Sequence, residues 1–214
     1  MKLPSFKYEK NLWKKGKNLV CGIDEVGRGP LAGPMMVGAV ACAISNDQFL
    51  TTNLQGIRDS KKLTKLQREK WSKKIWKEKE ESGNIKIAIV SVSHSTIDKY
   101  GIAQSAKLAV AKCLKILVKD GDEYEIMLDG SLYAPAKYKN QQTIIKGDEK
   151  IPIISAASVI AKVYRDNMMK KMHEKYPQYG FDTHKGYGTV AHIAAIKKHG
   201  LSAIHRHSFC RNFV

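Results

Sequence analysis

The sequence predicts an α/β fold, a sheet of mixed direction with helices on its faces and a C-terminal helical extension. Strand-like runs dominate the first part, helical and strand-like segments then alternate, and the final stretch carries only helical signals. Leu19 to Ile23 is a short apolar run of the kind a buried strand needs, and Met35 to Ile44, small and β-branched, is a second. The Gly/Pro-rich link between them must turn the chain. Thr64 and Gln67 form a capping box, and the lysine-rich stretch to Glu80 keeps a narrow apolar stripe of Leu66, Trp71, Ile75 and Trp76, as an exposed helix does. Ile85 to Val92 is the third strand. Ile102 to Val118 has helical spacing and stops near Gly121. Short strands follow at Glu125 to Leu128, ending on Asp129, and at Thr143 to Ile145. Ser155 to Lys175 is a long helix closed by Tyr176-Pro177, and its Ala156, Ala157 and Ala161 permit close packing on a sheet. Thr189 caps a last helix that ends at Gly200.

A chain of 214 residues fits one domain with its own core. The expected division is a basic N-terminal arm, 1–17, and one domain, 18–214. No apolar run approaches the roughly 20 residues that span a bilayer, and the N-terminus lacks the apolar stretch of a secretory signal. Cys21, Cys42, Cys113 and Cys210 are scattered, form no CxxC pair and suit a reducing cytoplasm. A formal net charge of +17 is large for this length and is easiest to understand if a polyanion shares the surface. Residues 1–20 hold +5 of it and residues 61–80 hold +6. Nucleic acid is therefore the first candidate partner, with a merely solvated basic face as the plain alternative.

Asp24-Glu25 follows an apolar run directly, a costly place for adjacent carboxylates unless cations or donors meet them. Strand alternation sends the two side chains to opposite faces, so a shared site requires the strand to end there, with Gly27-Arg28-Gly29-Pro30 as the turn. Asp129 ends another apolar strand before Gly130, and Asp148 follows Lys146-Gly147 just past a third. Three strand ends each deliver a carboxylate, although each Asp-Gly taken alone is as well explained by a turn. Hard oxygen ligands without Cys or paired His favour Mg²⁺ or Mn²⁺ over zinc, and several such acids suit attack on a phosphodiester. The GRGPLAG loop has neither GxGxxG nor GxxxxGK[ST] spacing; its glycines would instead let backbone groups approach a ligand such as a sugar 2′-hydroxyl.

Taken together, GIDEVGRGPLAGP, DSKKLT (Asp59 to Thr64), LDG at Leu128, KGD at Lys146, SAASVIAKVYRD at Ser155, YPQYGFDTHKGYGT at Tyr176 and HRHSF at His205 resemble the ribonuclease HII family from Gly22 to Phe209. The resemblance implies a ribonuclease H-like mixed five-stranded sheet. It implies that Asp24, Glu25, Asp129 and Asp148 are catalytic, metal-binding acids using Mg²⁺ or Mn²⁺. It further implies that Gly27, Arg28 and Gly29 line the 2′-hydroxyl 5′ of the cut, that Tyr187 packs on the next sugar, and that Ser60, Lys61, Lys62 and Lys185 contact or approach the backbone. The substrates implied are RNA–DNA hybrids and duplex DNA with embedded ribonucleotides, cut 5′ of the ribonucleotide to leave 5′-phosphate and 3′-hydroxyl ends. In the two-ion scheme that follows, Asp24, Asp129 and Asp148 hold one ion and Asp24 with Glu25 a second. Expected roles are ribonucleotide excision and RNA primer removal, by a cytoplasmic monomer.

Val26 departs from the family's usual Ala and resembles the sister ribonuclease HIII, but Arg28 and Gly29-Pro30 favour HII, and about twenty residues before the first strand are too few for HIII's N-terminal domain. After HRHSF the chain ends at Val214, and no sliding-clamp tail is expected. Asp166 reads as a salt-bridge partner rather than a further catalytic acid. His184, His205 and His207 lack zinc-ligand spacing and read as loop hydrogen-bonding groups. Trp71 and Trp76 read as anchors of their own helix, with base stacking, which Trp13 could also offer, as the alternative. Outside the enzyme reading, the competing function is a non-catalytic basic protein that coats nucleic acid.

Overall fold

A computed structural model describes residues 4–15, 17–43, 52–83 and 85–213; Ile44, predicted as a strand end, lies outside them, as does the side chain of Trp13. The elements are α1 (Lys7–Lys14), β1 (Leu19–Val26), β2 (Met35–Ala43), α2 (Lys65–Ser82), β3 (Ile85–Val92), α3 (His94–Leu117), β4 (Tyr124–Asp129), β5 (Gln141–Ile144), α4 (Gly147–Lys150), α5 (Pro152–Lys175), α6 (Phe181–His184), α7 (Val190–His199) and α8 (His207–Cys210). The sheet has the order β3-β2-β1-β4-β5. β1 runs antiparallel to β2 and β2 to β3, while β4 is parallel to β1 and β5 to β4.

Alternation along the strands splits the core in two. Val20, Val40 and Met127 face the layer containing Ile153, Ala156, Ala157 and Ile160 of α5. Cys21, Ile23, Val37, Ala39, Ile126 and Leu128 face the layer containing Val110, Cys113, Leu114 and Leu117 of α3. Helix α5 lies so close to β1 that a Cβ on Gly22 would stand 2.5 Å from the Ile153 carbonyl carbon. Only glycine fits there, and its absence of a side chain is what seats the N-terminal turns of α5 against the centre of the sheet.

Several boundaries differ from expectation for local reasons. Thr64 does cap α2 with a reciprocal Gln67 bond. Helix α3 begins earlier than Ile102, because Ser93 caps a first segment that kinks at Gly101 (φ 75°). β5 is shifted to Gln141–Ile144, and α5 starts at Pro152, where a proline lacking an N–H is tolerated. The residues read as a basic arm carry α1, whose Leu12 joins the α5-side core, and the Ser5 N–H donates to the Lys150 carbonyl at 3.0 Å. A third cluster, Leu31, Ala32, Met169, Tyr179, Phe181, Ile196 and Cys210, joins the C-terminal helices to the loop after β1.

Candidate active site

Two adjacent parallel strands set the acids. Ile23 pairs with Leu128, so the next residues, Asp24 and Asp129, stand side by side, both on the α5 face. Asp148 arrives on α4 from beyond β5, and ligand oxygens of Asp24, Asp129 and Asp148 lie within 4.8 Å of one another. Asp129 is held from behind: its Oδ1 accepts the Gly147 N–H at 2.6 Å and the Asp148 N–H at 3.3 Å.

The expectation that β1 stops at Asp24-Glu25 is corrected by the structure. The strand runs on through Val26 in pairing with Met36, so alternation persists and Glu25 points to the opposite face from Asp24. There Arg28 Nη1 meets Glu25 Oε1 at 3.2 Å, while Glu25 Oε2 is buried without a hydrogen-bond partner.

Burial pushes the Asp24 carboxyl well above its ordinary range, and repulsion from Glu25, Asp129 and Asp148 adds to that against a bond from Ser158. Glu25 is raised by burial despite Arg28. Asp148 is pushed up to about 6 by burial and then by Asp129 and Asp59, with Lys61 opposing. The close, mutually repelling carboxylates of Asp24, Asp129 and Asp148 fit a hard divalent cation. An acid raised in the folded state keeps its proton after the unfolded chain has lost it, so the Asp148 contribution to stability is present below its unfolded value and falls as pH rises from about 4 to about 6. In metal-free buffer, the melting temperature of Asp148→Asn relative to the parent is therefore expected to improve as pH climbs through that window and then level off, with Mg²⁺ at neutral pH restoring the parent's advantage. Calorimetry showing a pH-independent difference would refute it.

The remaining predicted residues divide. Lys61 is exposed, with its Nζ 3.6 Å from Asp148 Oδ2, and Lys62 pairs with Glu149 at 2.7 Å. Ser60 does not face solvent as a backbone contact should: it is buried, and its hydroxyl is 2.8 Å from Ser158 Oγ, the same hydroxyl that bonds Asp24. Lys185 Nζ donates to the Asp182 carbonyl. The exposed Tyr187 ring lies 5.7 Å from the Arg165 guanidinium. Gly27 takes φ 86°, and a Cβ there would meet Arg165 Nε at 2.2 Å; around Gly29 there is open space.

Asp166 pairs with Lys162 at 2.8 Å and lies 4.0 Å from Arg68, an ion-pair role as expected. His184 stacks on His192 and His205 lies tilted against it, with His192 Nε2 3.1 Å from His205 Nε2 and His192 Nδ1 2.9 Å from the Tyr187 carbonyl. His207 stands apart, its backbone N–H donating to Asp98. Trp71 and Trp76 pack on the α5-side core, the predicted anchoring role. Asp59, Ser158, Arg165, His192 and Arg206 were not singled out from the sequence. Arg165 and Arg206 are wholly buried, and their only sequence signal is an arginine set inside a motif whose neighbours are read for other reasons.

The family described as Ribonuclease HII matches residues 21–212. The chain is 42% identical over 205 residues to Ribonuclease HII of Shouchella clausii, covering 95% of this chain and 73% of the relative. A solved PCNA:RNase HII complex from Archaeoglobus fulgidus is similar in structure, with TM-score 0.69 and 26% identity, covering 88% of this chain and 93% of that one. A Bst-RNase HIII variant shares the fold at 18% identity and TM-score 0.68, covering 92% of this chain and 68% of that one. With Asp24 and Asp129 side by side on adjacent parallel strands, the glycine loop following the first of them and a family match spanning nearly the whole sequence, the chain belongs to the ribonuclease HII family and is a ribonuclease H hydrolase.

Proposed function

We propose that this enzyme cuts the RNA strand of RNA–DNA hybrids and nicks duplex DNA 5′ of single embedded ribonucleotides, leaving 5′-phosphate and 3′-hydroxyl ends. The observation that carries the reading is the convergence of Asp24, Asp129 and Asp148 within 4.8 Å beside the Gly27–Gly29 loop. Asp24, Asp129 and Asp148 would hold Mg²⁺ or Mn²⁺, which when bound would lower the pKa of a water and neutralise charge developing on the phosphate. The protein's own groups supply the rest. The Gly147 and Asp148 N–H groups fix one Asp129 oxygen, leaving the other for the site. Lys61 presents an exposed cation beside the acids, where a phosphodiester would lie. Gly27, Arg28 and Gly29 offer backbone to the ribose, and Tyr187 offers a ring to the following sugar.

We further propose a cytoplasmic monomer acting in ribonucleotide excision and primer removal; the four free, buried cysteines suit a reducing compartment. Incubation with a duplex DNA containing one ribonucleotide is expected to yield a nick on its 5′ side only when Mg²⁺ or Mn²⁺ is added. No nick, with tight and salt-sensitive binding, would favour the nucleic-acid-coating alternative.

A further inference from the structure

Behind the glycine loop, Arg206 is wholly buried, and its charge meets backbone oxygen rather than carboxylate. Its Nη2 donates to the Gly27 carbonyl at 2.6 Å, its Nη1 to the Arg28 carbonyl at 2.7 Å and its Nε to the Gly33 carbonyl at 3.0 Å. The base of the side chain is equally fixed, since the Arg206 N–H donates to the Leu31 carbonyl at 2.8 Å and the Gly33 N–H to the Ile204 carbonyl at 2.9 Å. Burial lowers its pKa only to about 10, so the guanidinium stays charged at neutral pH.

The direction of these bonds matters more than their number. In a planar trans peptide the C=O of one residue and the N–H of the next point opposite ways, and no cis peptide interrupts the described chain. Drawing the Gly27 and Arg28 carbonyls inward therefore turns the Arg28 and Gly29 N–H groups outward. Among the described residues neither N–H donates to a protein acceptor, and Gly29 borders open space. Two parallel donors beside a gap suit a sugar hydroxyl oxygen.

We propose that Arg206 is the positioning residue of the ribose reader, aiming the Arg28 and Gly29 N–H groups at the 2′-hydroxyl by holding the carbonyls behind them. The inference rests on the loop being that reader. The planar fork spans three carbonyls at once, which an ammonium on a flexible stem does not do. Arg206 touches no substrate; its effect passes through the loop.

The test measures binding in an Asp129→Asn background with Mg²⁺, by anisotropy, to a duplex with one ribonucleotide and to the same duplex in all-DNA form. The Asp129→Asn protein is expected to prefer the ribonucleotide duplex by about tenfold, because a site built to bond a hydroxyl is penalised when that hydroxyl is missing. Adding Arg206→Lys is expected to cut the preference at least about threefold, and Arg206→Met to bring it near unity, with affinity for the all-DNA duplex changed by less than about twofold. Misfolding would instead lower both affinities in parallel, and that result would overturn the proposal in favour of a merely structural role. Undiminished preference in both variants would overturn it too. A protein that shows no preference even with Arg206 in place would remove the ribose reader itself, and this proposal with it.

Discussion

Asp129→Asn is expected to bind a ribonucleotide-containing duplex within about threefold of wild type while its single-turnover nicking rate falls at least about a thousandfold, the scale of losing an electrostatic element central to the transition state. The substitution is nearly isosteric, and the amide oxygen can keep accepting the Gly147 and Asp148 N–H bonds. That orientation turns the new NH₂ toward Asp24 and Asp148, so a donor replaces an anionic ligand in the middle of the site. Groups offered to the duplex, Lys61, Tyr187 and the Gly27–Gly29 loop, are untouched. Quenched gel assays paired with anisotropy separate the two quantities, and wild-type-like turnover by the variant would sink the acid assignment.

Next in size are alanine substitutions in the glycine loop, where two neighbouring glycines should behave differently. Gly27→Ala forces a non-glycine residue to φ 86° and places its Cβ 2.2 Å from Arg165 Nε. Arg165 is not free to withdraw, since that same Nε donates to the Pro34 carbonyl at 2.9 Å. Strain and overpacking together should cost about 2–4 kcal/mol, roughly 5–12 °C in melting temperature, and nicking should drop about a hundredfold or more as the loop shifts. Gly29→Ala meets nothing within 4 Å, so its melting temperature should stay within about 1 °C of wild type. If a sugar approaches that backbone, nicking should still fall at least about tenfold. An unchanged rate in Gly29→Ala would mean that no ligand comes close there.

The sequence made Asp24 and Asp129 legible because each directly follows an apolar run, where a carboxylate is conspicuous, and Asp148 because it comes just past a third strand. Helix α2 was legible through its capping box, a purely local device. The opposite facing of Asp24 and Glu25 was not, since it depends on β2 continuing to pair as far as Met36, a long-range fact that extends β1 beyond its apolar stretch. The burial of Ser60, assigned a backbone contact by resemblance, was not legible for a similar reason: the turn capped by Asp59 folds it under, toward Ser158. Arg165 and Arg206 escaped notice because burying an arginine is usually unfavourable, and only the assembled fold supplies the carbonyls that make it tolerable. The recognition of the family rested on motifs in series, which report descent without stating which atoms touch.

The pairing of Ile23 with Leu128 has one more consequence. A slip of one residue between β1 and β4 would leave most main-chain bonds re-formable, yet it would send Asp129 through the sheet to the α3 side. Counting from the paired strand starts, Asp24 is five positions past Leu19 and Asp129 five positions past Tyr124. The equal spacing from paired start to acid thus acts as a ruler for the chemistry, and a single residue inserted or deleted within either stretch would abolish cutting even in a protein that still folded.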